Sequence, residues 1–272
     1  MADGYAEDQD LPGLIDTSVA HQARIYDYWL GGKDNFAVDR EAAEHALAAY
    51  PGLRRGVRAQ RAFLARAVGY LAGQAGIRQF LDIGTGIPTA SNTHEVAQAI
   101  APEARVVYVD NDPMVLAHAR ALLTSAPEGA CAYLDADIRD TGDVLRAASG
   151  LLDFGQPIAV MLIGILHLIP DADDPGGIVA RLVGELPAGS WLAIAHPASD
   201  VERDKVATMT DRYNQRVTTA ATLRTHAEIS AFFAGTEMLP PGVVQYHQWH
   251  PEEPARDAEG EVAAYCGLGR KP

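Results

Sequence analysis

The sequence predicts an α/β fold: a central, mostly parallel seven-stranded sheet with helices on both faces, a terminal antiparallel hairpin and an N-terminal helical lid. Three observations carry that expectation. Short apolar runs alternate with helix-compatible segments from Phe80 to His196, the pattern of parallel strands joined by crossover helices. The first run, Phe80, Leu81 and Ile83, breaks into Gly84-Thr85-Gly86, and a helix-compatible segment separates it from a second run, Val106 to Val109. Near the end, two further apolar runs flank an acidic, proline-containing loop, Pro251 to Gly260, which predicts the hairpin.

Taken in order, residues 1 to about 16 are polar and read as a tail. Thr17-Ser18 is positioned to cap a helix whose apolar members Val19, Ala23, Tyr26, Trp29 and Leu30 recur at helical spacing, and Gly31-Gly32 stops it. A second helix is expected from Asp39 to Pro51-Gly52. In the third, Val57, Arg61, Leu64, Val68 and Leu71 follow a 3.6-residue rhythm up to Gly73 and Gly76. These boundaries predict a tail and helical lid over residues 1–56, covering the strand edge where open α/β sheets bind ligands, and a sheet domain over 57–272.

Beyond the second strand, Asp112 and Pro113 supply the N-cap and first position of a helix reaching about Leu123. Tyr133-Leu134 leads a third strand into Asp135-Ala136-Asp137-Ile138. Ile158 to Leu166 is apolar on both faces, as a central parallel strand requires. Asp174-Pro175 opens the next helix, and Ser190 to His196 gives the fifth strand. A polar helix is expected from Glu202 to about Ala221, and Thr225-x-x-Glu228 forms a capping box for another that ends at Gly235. The closing strands are expected at Gly242 to Trp249 and Val262 to Leu268.

Composition narrows the partners. Lys plus Arg is 22 against 36 for Asp plus Glu, a formal charge of −14, and a field of that sign disfavours nonspecific contact with nucleic acid or anionic lipid. A small-molecule or protein substrate is expected instead, and the small molecule is the reading carried forward. Arg54, Arg55, Arg58, Arg61 and Arg66 form a local basic run that reads as a solvated helix face. Cys131 and Cys266 stand far apart, with no metal-ligand spacing and no disulfide framework. The acidic N-terminus lacks an apolar segment, and the run from Ile158 to Ile169 is interrupted by Gly164 and His167 and falls short of the ~20 residues of a membrane span. A cytoplasmic setting is the resulting expectation.

The glycine turn points to a nucleoside-bearing cofactor, because Asp110 lies 24 residues after Gly86, near the ~20-residue gap that puts a carboxylate on a ribose. Charge selects among such cofactors. A pyrophosphate over the turn would be repelled by Asp82, whereas an ammonium would be attracted; at ~4 Å and an effective dielectric of ~20 that contact is worth about 4 kcal/mol before desolvation. Thr89 also stands where dinucleotide folds place a third small residue. S-adenosylmethionine has an ammonium, a sulfonium and no phosphate. On this reading Asp82, Gly84, Thr85, Gly86, Asp110 and Asn111 hold the amino-acid and ribose parts, Asp137 and Ile138 face the adenine, and Gly164 borders the site. His167, at the edge of the fourth strand, is the candidate catalytic base, with Tyr26 or Tyr28 orienting the acceptor and Tyr28 taken as the catalytic partner. No metal is expected. The rival readings are an NAD-dependent oxidoreductase and a binding module that senses the cofactor without using it.

The run Arg24-Ile25-Tyr26-Asp27-Tyr28-Trp29-Leu30-Gly31-Gly32-Lys33-Asp34-Asn35-Phe36, followed by Asp39-Arg40-Glu41-Ala42-Ala43, resembles the N-terminal signature of a bacterial S-adenosyl methyltransferase family long described as a domain of unknown function. Phe80 to Thr89, Val106 to Leu123 and Gly267 to Pro272 share the likeness. Trp29 and Leu168 depart from the family's common pattern. The resemblance implies a Rossmann-like class I methyltransferase fold with S-adenosylmethionine held by Asp82, Gly84, Gly86, Asp110 and the Asp137-Ile138 pair, and it supplies no substrate. It also gives the Gly31-Gly32-Lys33 turn a functional reading, with Lys33 pairing the cofactor's carboxylate and Asn35 beside it.

Overall fold

A computed structural model describes residues 16–122, 124–249 and 262–272. Its sheet contains β1 (Gln79–Ile83), β2 (Arg105–Asp110), β3 (Ala130–Asp135), β4 (Ala159–Ile163), β5 (Trp191–Pro197), β6 (Glu237–Met238), β7 (Val244–Gln245) and β8 (Ala264–Arg270). The order is β3-β2-β1-β4-β5-β8-β6, with β7 also on β8; β1 to β5 run parallel and β8 is antiparallel to its neighbours. Strand order reverses between β1 and β4, and ligands of open α/β sheets bind at the carboxyl edge of such a point.

The sheet has eight strands rather than seven. β6, the addition, is two residues long, too short to show alternation in sequence. The closing pair is antiparallel as expected, with Val244 opposite Cys266, but the first member shortens because Tyr246–Gln248 turns into a 3₁₀ helix. The hairpin loop from Pro251 to Gly260 and most of the N-terminal tail lie outside the described residues.

Side chains alternate across the strands and build two cores. Phe80, Val106, Tyr108 and Met161 face α3 (Leu53–Gly73) and α4 (Thr93–Ile100), meeting Phe63, Leu71 and Ala97. Leu81, Val107, Val160 and Ile194 face α6 (Thr141–Ala148) and α7 (Pro175–Gly184), meeting Val144, Ile178 and Leu182. A third cluster joins α1 (Gln22–Leu30), α2 (Ala37–Ala49) and α8 (Arg203–Asn214) through Ile25, Trp29, Ala46, Val206, Met209 and Tyr213. The polar-looking α8 is thus part of the helical cover, with its buried Val206, Met209 and Tyr213 on one stripe.

Several boundaries move for identifiable reasons. Ser18 folds onto the Asp16 carboxylate, so His21, not Thr17 or Ser18, caps α1. Asp39 is the third residue of α2 rather than its start, and its carboxylate accepts the Phe36 N–H at 2.8 Å. α8 stops at Asn214, whose amide exchanges two hydrogen bonds with the Ala221 backbone and reverses the chain. β4 ends at Ile163 because Gly164 takes a φ of 79° and Leu166–Leu168 coils into a 3₁₀ turn. α5 (Pro113–Leu122) and the capping box of α9 (His226–Ala231) fall where the sequence puts them. Among the described residues no helix is long and apolar enough to cross a membrane.

Candidate active site

The turn after β1 is built by conformational demand. Gly84 and Gly86 both have positive φ, 75° and 66°, where a side chain is strained, and a Cβ on Gly84 would lie 2.6 Å from Ile165. Over Gly86 a Cβ would meet nothing within 4 Å, so the turn leaves open space on its ligand side. Asp82, at the strand end, is buried and accepts the Thr93 hydroxyl at 2.6 Å, while the Thr85 hydroxyl donates to its carbonyl at 3.3 Å. Burial pushes the Asp82 carboxyl up to about 6, against the opposing pull of the Thr93 hydrogen bond and the Arg61 guanidinium.

Asp110 closes the other side. It accepts the Gly86 N–H at 2.9 Å and the Asp112 N–H at 3.0 Å, tying the end of β2 to the glycine turn and leaving lone pairs for a further donor. Its carboxyl is also raised, chiefly by burial. Asn111 donates to Asp137 at 3.1 Å, and Arg139 binds Asp137 through its backbone and guanidinium. Asp110, Asn111, Asp137 and Ile138 share one pocket with Gly84 and Ile165; Asp82, Thr85, Gly86, Asp110, Gly164 and His167 share the adjoining cleft. The sequence-named residues thus converge at the strand ends, although most of the wall comes from others.

The helical cover supplies the rest, and here three residues are placed differently from expectation. Tyr28 points away from the cleft and donates to Glu44 at 2.6 Å; Tyr26, two residues earlier and so on the opposite side of α1, lines the cleft instead. Asn35 donates to Asp27 at 2.8 Å, and Lys33 is exposed; neither is among the described residues lining the cleft. The signature around them is architectural. Asp27 accepts the Asp34 N–H and the Asn35 amide, and a Cβ on Gly32 would lie 1.9 Å from Asp27 Oδ1. Arg24 and Asp39 form a buried ion pair at 3.0 Å, and His21 reaches Asp112 at 2.7 Å, fastening α1 to the end of β2.

The cation in the cleft is Arg61, from the helix face that reads in sequence as solvated. Its Nη2 donates to the Ala90 and Ser91 carbonyls, both at 3.0 Å, and its Nε is buried without a partner. The Gln22 Oε1, in the same wall, is a second buried polar atom without a partner. The spacing of Arg61 in α3, on the stripe of Val57, Leu64 and Val68, is the signal that it faces inward.

His167 sits on the 3₁₀ turn beyond β4, with its Nδ1 buried and unpartnered. Burial and the nearby Arg224 guanidinium lower its pKa to about 4, so the imidazole is neutral at ordinary pH. Arg224 fixes that turn from behind: it is buried, donates to the Leu166 and Ile169 carbonyls at 2.9 and 2.8 Å, and pairs with Asp171 at 2.7 Å. Its Nη1 also lies 3.0 Å from His196 Nε2.

Comparison with known proteins supplies the family and the fold. A family model described as S-adenosyl methyltransferase matches residues 8–272. The crystal structure of a DUF574-family protein from Streptomyces avermitilis is 47% identical, with a TM-score of 0.90 over 94% of this chain and 99% of that one. A second crystal structure, from Thermobifida fusca, is 40% identical at a TM-score of 0.84, covering 96% of this chain and 97% of that one. The plantazolicin methyltransferase BpumL, solved with SAH, is 12% identical at a TM-score of 0.52 over 92% and 95% of the two chains, and shares the fold. No curated sequence matches the chain. The chain belongs to the S-adenosyl methyltransferase family, and its cofactor is S-adenosylmethionine rather than a dinucleotide.

Proposed function

We propose that this methyltransferase carries a methyl group to a small-molecule acceptor by in-line displacement, with the cofactor lying across the cleft and pocket at the β1–β4 switch point. The observation that carries the reading is the pairing of opposite charges in one cleft: the buried Asp82 carboxylate and the Arg61 guanidinium are complementary to a zwitterionic amino-acid tail. The partnerless Arg61 Nε suits a carboxylate, and the space over Gly86 suits backbone approach by a ligand. On this reading Asp110 is assigned to a ribose diol and Asp137 with Ile138 to an adenine edge, supported by their lining one pocket.

When bound, S-adenosylmethionine supplies a methyl carbon already activated by positive sulfur. The protein's part is then to position: orientation alone contributes ~7–11 kcal/mol to such a step. Asp82 and Arg61 fix the amino-acid tail, Ile165 and Gly84 set the floor, and His167 offers a neutral ring nitrogen at the cleft's inner end. Tyr26, whose phenol burial raises to about 12, stays protonated and able to donate. Calorimetry with S-adenosylhomocysteine, followed by incubation with methyl-labelled cofactor and a small-molecule extract, tests the reading. Saturable binding and label in an extracted metabolite are expected; tight binding with no transfer would make the chain a sensor, and label confined to macromolecules would remove the small-molecule acceptor.

A further inference from the structure

Beyond His167 the cleft opens into a second chamber of about 130 Å³. Tyr26, Trp29, Gln60, Gly164, His167 and Tyr213 line both spaces, so the two meet at a shared wall. The chamber's other sides come from Leu53 and Val57 of α3, Met209 of α8, and Leu223 and Tyr246 from separate loops. Its described lining contains no Asp, Glu, Lys or Arg.

Three physical limits define an occupant. An apolar cavity of ~150 Å³ holds one benzene ring, so the volume of this chamber matches a single six-membered ring. A charged group would give up its water with no opposite charge in the described lining to replace it. The acids that might have received a cation are committed: Asp27 to the Asp34 N–H and the Asn35 amide, and Asp34 lies toward His118 at 3.9 Å. His167 Nδ1 is buried with no partner, and in the Nε2–H tautomer it accepts a hydrogen bond.

Resting on the methyl-transfer reading above, we propose that the acceptor is a neutral, single-ring phenol. Its ring lies among Tyr26, Val57, Met209 and Tyr213, and its hydroxyl donates to His167 Nδ1 at the junction with the cofactor cleft. The balance of the step closes with the residues present. The phenolic oxygen bonds to the methyl carbon as that carbon's bond to sulfur breaks, the electron pair stays on sulfur to leave a neutral thioether, and the phenolic proton passes to His167 and then to solvent.

The test is titration of the full chain, saturated with S-adenosylhomocysteine, with 4-methylphenol, toluene, tyramine and 2-naphthol, read by calorimetry. Binding of 4-methylphenol at least about tenfold tighter than tyramine or 2-naphthol is expected, a difference of ~1.4 kcal/mol. Gly56→Leu supplies the control: Gly56 lines the chamber but not the cleft, a Cβ there meets only Val262 at 3.8 Å, and leucine suits a helix better than glycine. It is expected to abolish ring binding and leave S-adenosylhomocysteine affinity within about twofold, under ~0.5 kcal/mol. His167→Asn is expected to weaken 4-methylphenol while sparing toluene. Normal S-adenosylhomocysteine binding with no ring binding, or with tyramine or 2-naphthol preferred, overturns the phenol and leaves methyl transfer standing. Failure of S-adenosylhomocysteine to bind overturns both.

Discussion

The cleft over the glycine turn and the chamber behind it share a wall and little else. The cleft gathers Asp82, Arg61, Asp110 and His21, whereas the chamber's described lining holds no Asp, Glu, Lys or Arg and is largely aromatic and aliphatic, with Gln60, His167 and Thr210 among it. The first selects by charge and the second by shape and dryness. A ligand family with one constant part and one variable part suits such a division, because electrostatic fit to a common cofactor need not change when the apolar half is resculpted. The two are also made differently. The cleft's acids come from the ends of two adjacent parallel strands, while the chamber draws on α1, α3, α8 and β8, which meet only in the folded chain.

The shared wall is the place to break this division. Arg224→Met removes the donors that hold the turn carrying His167, stripping the Ile169 carbonyl of its guanidinium partner and leaving the Leu166 carbonyl only the Ile169 N–H at 3.2 Å. It is expected to cost about 3 kcal/mol in denaturant unfolding and to weaken ligands of both compartments. Asp82→Asn touches only the charged side: S-adenosylhomocysteine affinity should fall about a hundredfold, ~2.7 kcal/mol, by calorimetry, with ring binding in the chamber unchanged.

Acidity sharpens the contrast further. Asp82, raised to about 6 by burial, loses its charge as pH falls through that value, so S-adenosylhomocysteine affinity should drop about tenfold between pH 7 and pH 5. Stability of the ligand-free protein runs the other way. The folded-state pKa exceeds the ordinary carboxylate value, so the folded state holds the extra proton, and Asp82's contribution is lost as pH rises through about 6. Asp110, raised in the same direction, adds to the trend. His167, lowered to about 4, stays neutral in the folded protein from pH 7 to 5 and so leaves the affinity change to Asp82. In stability it opposes the Asp82 trend, since the unfolded chain takes up that imidazole's proton first as pH falls through 6.5. An affinity that stays flat from pH 7 to 5 would remove Asp82 from the ammonium's contacts. The smallest effect is expected from Lys33→Ala, under about twofold in S-adenosylhomocysteine affinity, since Lys33 is exposed and outside the described lining.

How far the site could be read from sequence follows the same line. Asp82, the two glycines and Asp110 are legible because strand, turn and strand end are local, and the spacing alone brings them together. The Thr225 capping box is legible for the same reason. Tyr26 and Tyr28 are not separable by type, since only the packing of α1 against its neighbours decides which one turns inward. Lys33 draws attention by standing in a glycine turn, yet the turn exists to accommodate Asp27, and the inward cation is an arginine on a helix that shows five of them. α8, polar along most of its length, hides its apolar stripe until α2 is set against it.

The last feature concerns β8, which slots between β5 and β6 and runs against both. While the ribosome is still making Ala198 to Ala263, the finished parallel block presents the backbone of β5 as an open edge, Trp191 to Pro197, with nothing yet to pair it. Self-association of nascent or truncated chains should therefore begin there, and stopping synthesis before Ala264 should turn a monodisperse product into aggregates seeded at that margin.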